Sequence, residues 1–458
     1  MISETIRFFY PDIEKHEIKK FGLLGLTFFF TIGTYWLLRL LKDIVLYKLA
    51  FPVELGWPIG YGREMIPLIK ASSPFIVLLL LAIYTKLIDK FEKHKLFYII
   101  STFYIIIFCC MAILFLLTHL HGIHIIGKYP LAIAGITSYL ATESFGSLAV
   151  ALFWSFTVSS TTTQEAKRAY PFIIAAGQFG AIIGSTLILF HEIPLWILYS
   201  TSICCLLSII YTIRYLAKTI PTSEMKSDNH EAVKKPDFFA GFKLILTQPY
   251  LMGVFVVSNF YEVARALVDY QMKSQADIIS GFNFHQFMGI YGICVNTLAF
   301  FMALLGTSFI MRRFGLRVCL LLYPIIFGLA LLGLYAFYKT NPLPTTLLWA
   351  TFIVTMLVTA TAYAVNNPTK EMMYIPTSND AKFKAKGIID MFGSRFMKFG
   401  GAHLGGYLNV IGNPVRSIAN LMAYGTLTSL SIIGLWILGA VYVGNKNAEL
   451  VKNKQIIE

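Results

Sequence analysis

Ionisable side chains stand inside apolar runs at four places in this sequence, and their spacing is helical. Arg39, Lys42 and Asp43 share a face with Tyr35, a turn earlier. Glu143 is followed one turn on by Ser147. Glu262, Arg265, Asp269 and Lys273 form a stripe of near-helical period, and Asp390, Ser394, Arg395 and Lys398 lie together in a fourth run. A charge at the centre of a lipid-spanning helix costs about 2.5–3.5 kcal/mol on insertion scales, so each of these needs a partner or a task. Intramembrane ion pairing, or snorkelling from helix ends, is the plainer account; it suits Asp269, Lys273 and Asp390 best and has weight for Arg39 and Lys42. The functional account rests on imbalance. Arg39, Lys42, Arg265, Arg395 and Lys398 outnumber the neighbouring acids, and an anionic substrate is their natural counter-charge. A guanidinium fork binds phosphate at two points, while lysine supplies a movable point charge. Tyr35, Trp36, Phe145 and Trp154 could stack on a base, although packing or interface anchoring is the commoner use of such rings.

The elements that must hold these residues are membrane spans. The chain is 57% hydrophobic and only 14% charged, with mean hydropathy +0.67, where a soluble domain carries about 25% charged residues. Apolar runs of about twenty residues recur from Phe21 onward, and the period-two alternation of a β-barrel is absent, so the spans are helices. The runs predict about twelve of them, roughly at 21–49, 63–89, 95–118, 131–160, 171–190, 194–216, 250–273, 284–313, 316–338, 345–369, 387–411 and 418–443. A polar break from Lys218 to Phe238 divides the chain into an N-terminal six-helix half (1–217), a cytoplasmic linker with an interfacial segment (218–249) and a C-terminal half (250–458). Glu165 to Ser185 lines up with Ala385 to Gly405, each a basic loop running into a glycine-rich helix. Repeated six-helix halves of this kind are the architecture of major-facilitator transporters, in which substrate binds between the halves.

The formal net charge of +14 falls in alternate loops, including Lys86, Lys90, Lys93 and Lys95, Arg312, Arg313 and Arg317, and Lys382, Lys384 and Lys386. Charge placed by topology does not point to a nucleic-acid partner; it puts both termini in the cytoplasm, and the absence of a cleavable leader fits a bacterial inner membrane. Asp89 and the loops around Lys86 and Arg313 are candidate gates, or topology determinants only. The six cysteines lie in apolar stretches without a CxxC, and His119, His121 and His124 have no acidic or thiol partners, so neither a disulfide framework nor a metal site is expected. No GxxxxGK[ST], HExxH or GxSxG is present, so no cofactor and no enzymatic activity are expected.

Several motifs bear on the substrate: Arg39–x–x–Lys42–Asp43; Glu143–x–x–Gly146–Ser147 leading to Phe153–Trp154; Glu165–Ala166–Lys167–Arg168–x–Tyr170; and Asn367–Pro368–x–Lys370–Glu371–Met372–x–Tyr374–Ile375–Pro376, followed by Lys382, Lys384, Lys386, Asp390, Arg395 and Lys398–x–Gly400–Gly401. In this order, over nearly the whole chain, they resemble the ATP/ADP translocases of obligate intracellular bacteria and plastids. The resemblance implies twelve spans of major-facilitator type, nucleotide substrates, and exchange of ATP against ADP. By motif it implies transport roles for Lys42, Glu143 and Glu262, and for a basic residue between Lys370 and Lys386. The chain departs from the family pattern at Ser144 and Phe145, where Leu and Trp are usual, and after Glu262, where Arg265 stands in a different context. Two other readings stay open: proton-coupled symport of a nucleotide or other anion, with Glu143 or Glu262 carrying the proton, and a non-transporting membrane protein on the same fold. The sequence carries no sign of oligomeric state.

Overall fold

A backbone in lipid has no water to bond to, and this chain satisfies its backbone within helices. The computed structural model describes residues 17–221, 238–279, 283–305, 307–378, 381, 385–386, 388–410 and 413–457. Apart from one parallel bridge between Thr377 and Ile457, the described chain is helix and connecting turn. Six helices precede the linker: α1 (Glu17–Lys48), α2 (Tyr61–Lys90), α3 (Lys93–His121), α4 (Lys128–Ser159), α5 (Thr163–Leu189) and α6 (Leu195–Thr219). Most of the polar linker, 222–237, lies outside the described residues. After it come the short α7 (Phe238–Thr247), where an interfacial segment is expected, then α8 (Pro249–Ile278), α9 (Phe284–Leu305) and α10 (Thr307–Lys339). α10 breaks at Gly315, whose φ of 71° is left-handed, at the expected loop between two spans.

The remaining helices are interrupted by wide π turns. α11 (Pro344–Thr361) passes through Ala362–Asn366 into α12 (Asn367–Met372). The turn Ile388–Gly393 leads into α13 (Ser394–Tyr407), and α14 (Pro414–Asn420) reaches α15 (Thr426–Lys452) through Leu421–Gly425. Among the described residues, ten helical stretches are long and apolar enough to cross a membrane. The expected spans at 284–313 and 387–411 are helical where described but are not among the ten. The first runs into side chains outside the described residues, and the second carries Asp390, Arg395 and Lys398 in a short stretch.

The described residues gather into two compact units. One draws on Met1–Gly62, Phe75–Ala232 and Asn283–Asn296, the other on Arg63–Pro74, Val233–Phe282 and Thr297–Glu458. The first parts of α2 and α9 thus belong to the unit opposite to the rest of their sequence half.

In the first unit α1 lies against α5 at backbone contact. A Cβ on Gly180 would come within 2.2 Å of the Phe29 carbonyl oxygen, and one on Gly184 within 2.2 Å of that of Gly33. Small residues at this spacing let two helices approach closely enough for backbone packing, the main attraction available in lipid. The helix starts are pinned by ions: Lys20 Nζ lies 3.2 Å from Glu165, which also closes a capping box with Thr162, and Arg168 Nη2 lies 2.5 Å from Glu17. In the second unit α8 is the central helix and α13 repeats the arrangement. Cβ atoms on Gly401, Gly405 and Gly393 would meet the Val263 carbonyl oxygen at 2.4 Å, Tyr270 Cδ1 at 2.7 Å and Asn259 Nδ2 at 2.8 Å. The two glycine-rich segments that align in the sequence therefore perform the same close crossing.

Gly180→Ala and Gly401→Ala should each destabilise the protein by about 1–3 kcal/mol, because the new methyl meets backbone that cannot step aside. Gly333→Ala on α10, with nothing within 4 Å of the added atom, should leave stability unchanged or slightly raised; thermal unfolding of the purified variants in detergent tests the contrast.

Candidate substrate-binding clusters

Each unit holds a cluster of ionised side chains inside its spans. In the first, α1 presents Lys42 and α4 presents Glu143, and the two form an ion pair. Lys42 is 4% exposed and its ammonium also sits 3.7 Å from the centroid of the fully buried Tyr139 ring, one turn before Glu143. One turn before Lys42, the Arg39 guanidinium lies over Trp36 at 4.6 Å. Gly146 makes room for Tyr35, whose ring a Cβ there would strike at 2.2 Å. Asp43 is buried beside Lys42 on the same helix.

In the second unit the centre is Glu262 on α8, 4% exposed. Its Oε2 accepts from Arg265 Nε at 3.0 Å and Nη2 at 2.6 Å. Its Oε1 accepts from Tyr261 Oη at 2.7 Å and from Ser394 Oγ at 3.4 Å, and Lys398 Nζ stands 3.5 Å away. Tyr261 Oη in turn accepts from Lys370 Nζ at 3.1 Å, with that ammonium 4.2 Å from the Tyr261 ring centroid. Arg395 Nη1 donates to Ser73 Oγ at 3.3 Å. One buried carboxylate is thus ringed by Arg265 and Lys398 directly and by Lys370 through a phenol, a local surplus of positive charge.

The backbone explains why these side chains converge. Glu262 and Arg265 stand three apart on one helix face. Ser394 and Lys398 reach Glu262 because Gly393 and Gly401 let α13 close on α8. Lys370 comes after the π turn Ala362–Asn366 and Pro368, which lacks an N–H to continue a regular ladder. π turns in spans are often found at functional sites.

All eight candidate residues are therefore placed: Arg39, Lys42 and Glu143 together in one unit, and Glu262, Arg265, Lys370 and Lys398 together in the other, with Arg395 on Ser73. Asp269 and Lys273 pair with each other at 2.7 Å, the structural role that suits them, while Asp390 is exposed. Lys386 pairs with Glu371 at 2.6 Å in an exposed position. The side chains of Asp89 and Arg313 lie outside the described residues, and Lys86 is exposed. Three of the four aromatic rings pack on neighbouring side chains. Phe145 is 1% exposed beside Tyr104, Trp36 lies under Arg39, and Trp154 packs on Phe28 and Tyr170. Tyr261 and Tyr139 are the residues that charge alone does not single out; their adjacency to Glu262 and their helical spacing to Glu143 are the only sequence signals for them.

A family profile described as TLC ATP/ADP transporter matches residues 2–446. The chain belongs to the TLC ATP/ADP transporter family. Among its relatives are ADP,ATP carrier protein 1 of Chlamydia pneumoniae, 26% identical over 95% of this chain and 92% of that protein, and the chloroplastic ADP,ATP carrier protein 1 of Arabidopsis thaliana, 27% identical over 93% and 74%. ADP,ATP carrier protein 1 of Rickettsia bellii is 25% identical over 99% of this chain and 98% of its own length. Solved structures share the fold: the nucleoside transporter NupG matches at TM-score 0.61 and 14% identity, covering 93% of this chain and 99% of that one. A bacterial homologue of the iron transporter ferroportin matches at TM-score 0.61 and 12% identity, covering 94% and 100%. The chain is a multi-pass transporter of major-facilitator type within the TLC family.

Breaking a buried ion pair on one side leaves the other charge stranded. Lys42→Met alone should therefore lower the unfolding temperature more than Lys42→Met combined with Glu143→Gln, with a coupling of about 0.5–3 kcal/mol in a double-mutant cycle; additive effects would show that the pair does not contribute as a unit.

Proposed function

We propose that this chain exchanges ATP for ADP across a bacterial inner membrane, with both termini in the cytoplasm. In this reading six-helix halves at 1–217 and 250–458, joined by 218–249, alternate access to the substrate. The observation that carries the phosphate assignment is Glu262 held by Arg265 and Lys398, with Lys370 one phenol away. Arg265 aims two N–H groups at one carboxylate oxygen, and the same fork suits a phosphate oxygen. The relatives named ADP,ATP carrier proteins support the choice of nucleotide.

The mechanism is an exchange of counter-ions. Without substrate, Glu262 is the shared counter-ion of Arg265 and Lys398, and Glu143 is that of Lys42; the positive surplus around Glu262 is what a polyphosphate answers. In the second unit a polyphosphate takes Arg265 and Lys398 from Glu262, with Lys370 and Arg395 assisting; in the first, phosphate takes Lys42 from Glu143, with Arg39 one turn earlier on the same helix. Because one anion replaces another, the desolvation cost of these cations is offset throughout the cycle. The substrate leaves chemically unchanged, so the chain acts as a carrier and not as an enzyme. An exchange that moves one net charge is also driven by the membrane potential, worth about 2.3 kcal/mol per 100 mV.

Proteoliposomes of the purified protein, preloaded with ADP or left empty, should take up labelled ATP only when ADP is inside. Lys42→Ala and Glu262→Gln should reduce that uptake by at least about ten-fold, the loss expected for one charge-assisted contact. Uptake into empty vesicles driven by a pH gradient would instead establish proton coupling, and no uptake of ATP by folded protein in any condition would remove the adenine-nucleotide assignment.

A further inference from the structure

One cavity in the first unit has a lining that nucleotide exchange in the spans does not use. Its volume is about 510 Å³, and it lies where four elements end: α1, α3, the turn after α5, and the start of α9. Each contributes a basic side chain, Lys48, His119, His191 and His285 respectively, and no aspartate or glutamate is among the lining residues. Asn283 and Phe284 complete its polar and apolar walls. The Nε2 of His285 is buried without a hydrogen-bond partner, an arrangement that costs free energy unless a ligand answers it. His191 is exposed at the rim, and the Lys48 ammonium lies 5.5 Å from the Phe284 ring. Among the described residues no set of three His, Cys, Asp or Glu is arranged to hold a metal ion. The chemistry is that of an anion site: three imidazoles, each with an N–H to donate, and one ammonium.

We propose that this cavity binds a compact oxyanion, a phosphate group, held by Lys48 and the imidazoles of His119, His191 and His285. Asn283 to Asn296 belongs to the first unit, so the site is built wholly within that unit. The other ionisable groups nearby in the chain are Glu192, exposed beside His191, and His121 and His124 in the loop after α3; none of these lines the cavity. The site does not depend on what the spans transport. Free orthophosphate and the terminal phosphate of a nucleotide share the required chemistry.

The test is anion titration of the purified full-length protein by calorimetry in detergent, at matched ionic strength. Inorganic phosphate gives the ligand class, and sulfate is a second tetrahedral oxyanion of similar size. Both should bind saturably, at one site per chain. His285→Gln combined with His119→Gln should weaken sulfate and phosphate binding about ten-fold, with an unchanged elution profile and unfolding temperature as the folding control. The single rim variant His191→Gln should weaken it by a smaller factor. ATP that displaces phosphate in a histidine-dependent way identifies a nucleotide as the occupant, and phosphate binding indifferent to ATP identifies the free oxyanion. Overturning results are binding that is unchanged in the histidine variants, or binding that is lost in Lys42→Ala instead.

Discussion

A carboxylate inside a membrane span has to be neutralised where it stands, and the second unit is organised around that requirement at Glu262. It is almost fully buried, and its two oxygens are answered by a guanidinium, an ammonium, a phenol and a hydroxyl drawn from two helices. Every donor imposes a demand on the chain around it. Arg265 must come one turn later, Tyr261 must precede directly, and α13 must come close enough for Ser394 and Lys398 to reach across. A buried group of this kind is a poor source of stability, because desolvation consumes most of the attraction. In the proposed exchange its use lies in being replaceable: cations held by a protein carboxylate are handed to a substrate phosphate without passing through an unpaired state.

The glycines serve the same end by another route. Two segments with little sequence in common, 165–185 and 385–405, both place glycine where a neighbouring backbone passes at a distance no Cβ would permit. In the first unit this close crossing seats α5 on α1, the helix of Arg39 and Lys42. In the second it seats α13 on α8, the helix of Glu262 and Arg265. The charge on α13 is used through that crossing: a helix pressed against α8 contributes Ser394 and Lys398 to the Glu262 cluster.

Regular helix would not suffice for the rest. The π turns at Ala362–Asn366, Ile388–Gly393 and Leu421–Gly425 all fall in the second unit, and two of them immediately precede residues of the Glu262 cluster. Widening one turn rotates the helix beyond it, which brings Lys370 under Tyr261 and Ser394 toward Glu262. In the first unit the described helices carry no π turn, and its cluster includes the Lys42–Glu143 ion pair and cation–π contacts of Arg39 and Lys42. The two halves thus share a packing plan while differing in the chemistry they present.

Much of this was legible in the residues alone, because lipid leaves few choices. Apolar runs of span length can only be helices, basic loops orient them, and a charge within a run has to be paired or used. Those constraints act locally, so they mark Lys42, Glu143, Glu262 and Arg265 without reference to the fold, and the break at Gly315 between two spans as well. Partnership is a different matter. That Lys42 meets Glu143, that Lys370 reaches Glu262 only through Tyr261, and that Asp269 is absorbed by Lys273 depend on which helices touch and at what rotation. Tyr139 and Tyr261 have no charge to draw attention, and the rings of Trp36 and Phe145 offer the same hydropathy whether they stack on a base or on a neighbour. Helix identity is determined by the cost of an unsatisfied backbone in lipid, which each segment carries by itself. The site is determined by glycine-sized contacts and widened turns, whose consequences appear only when two helices are brought together.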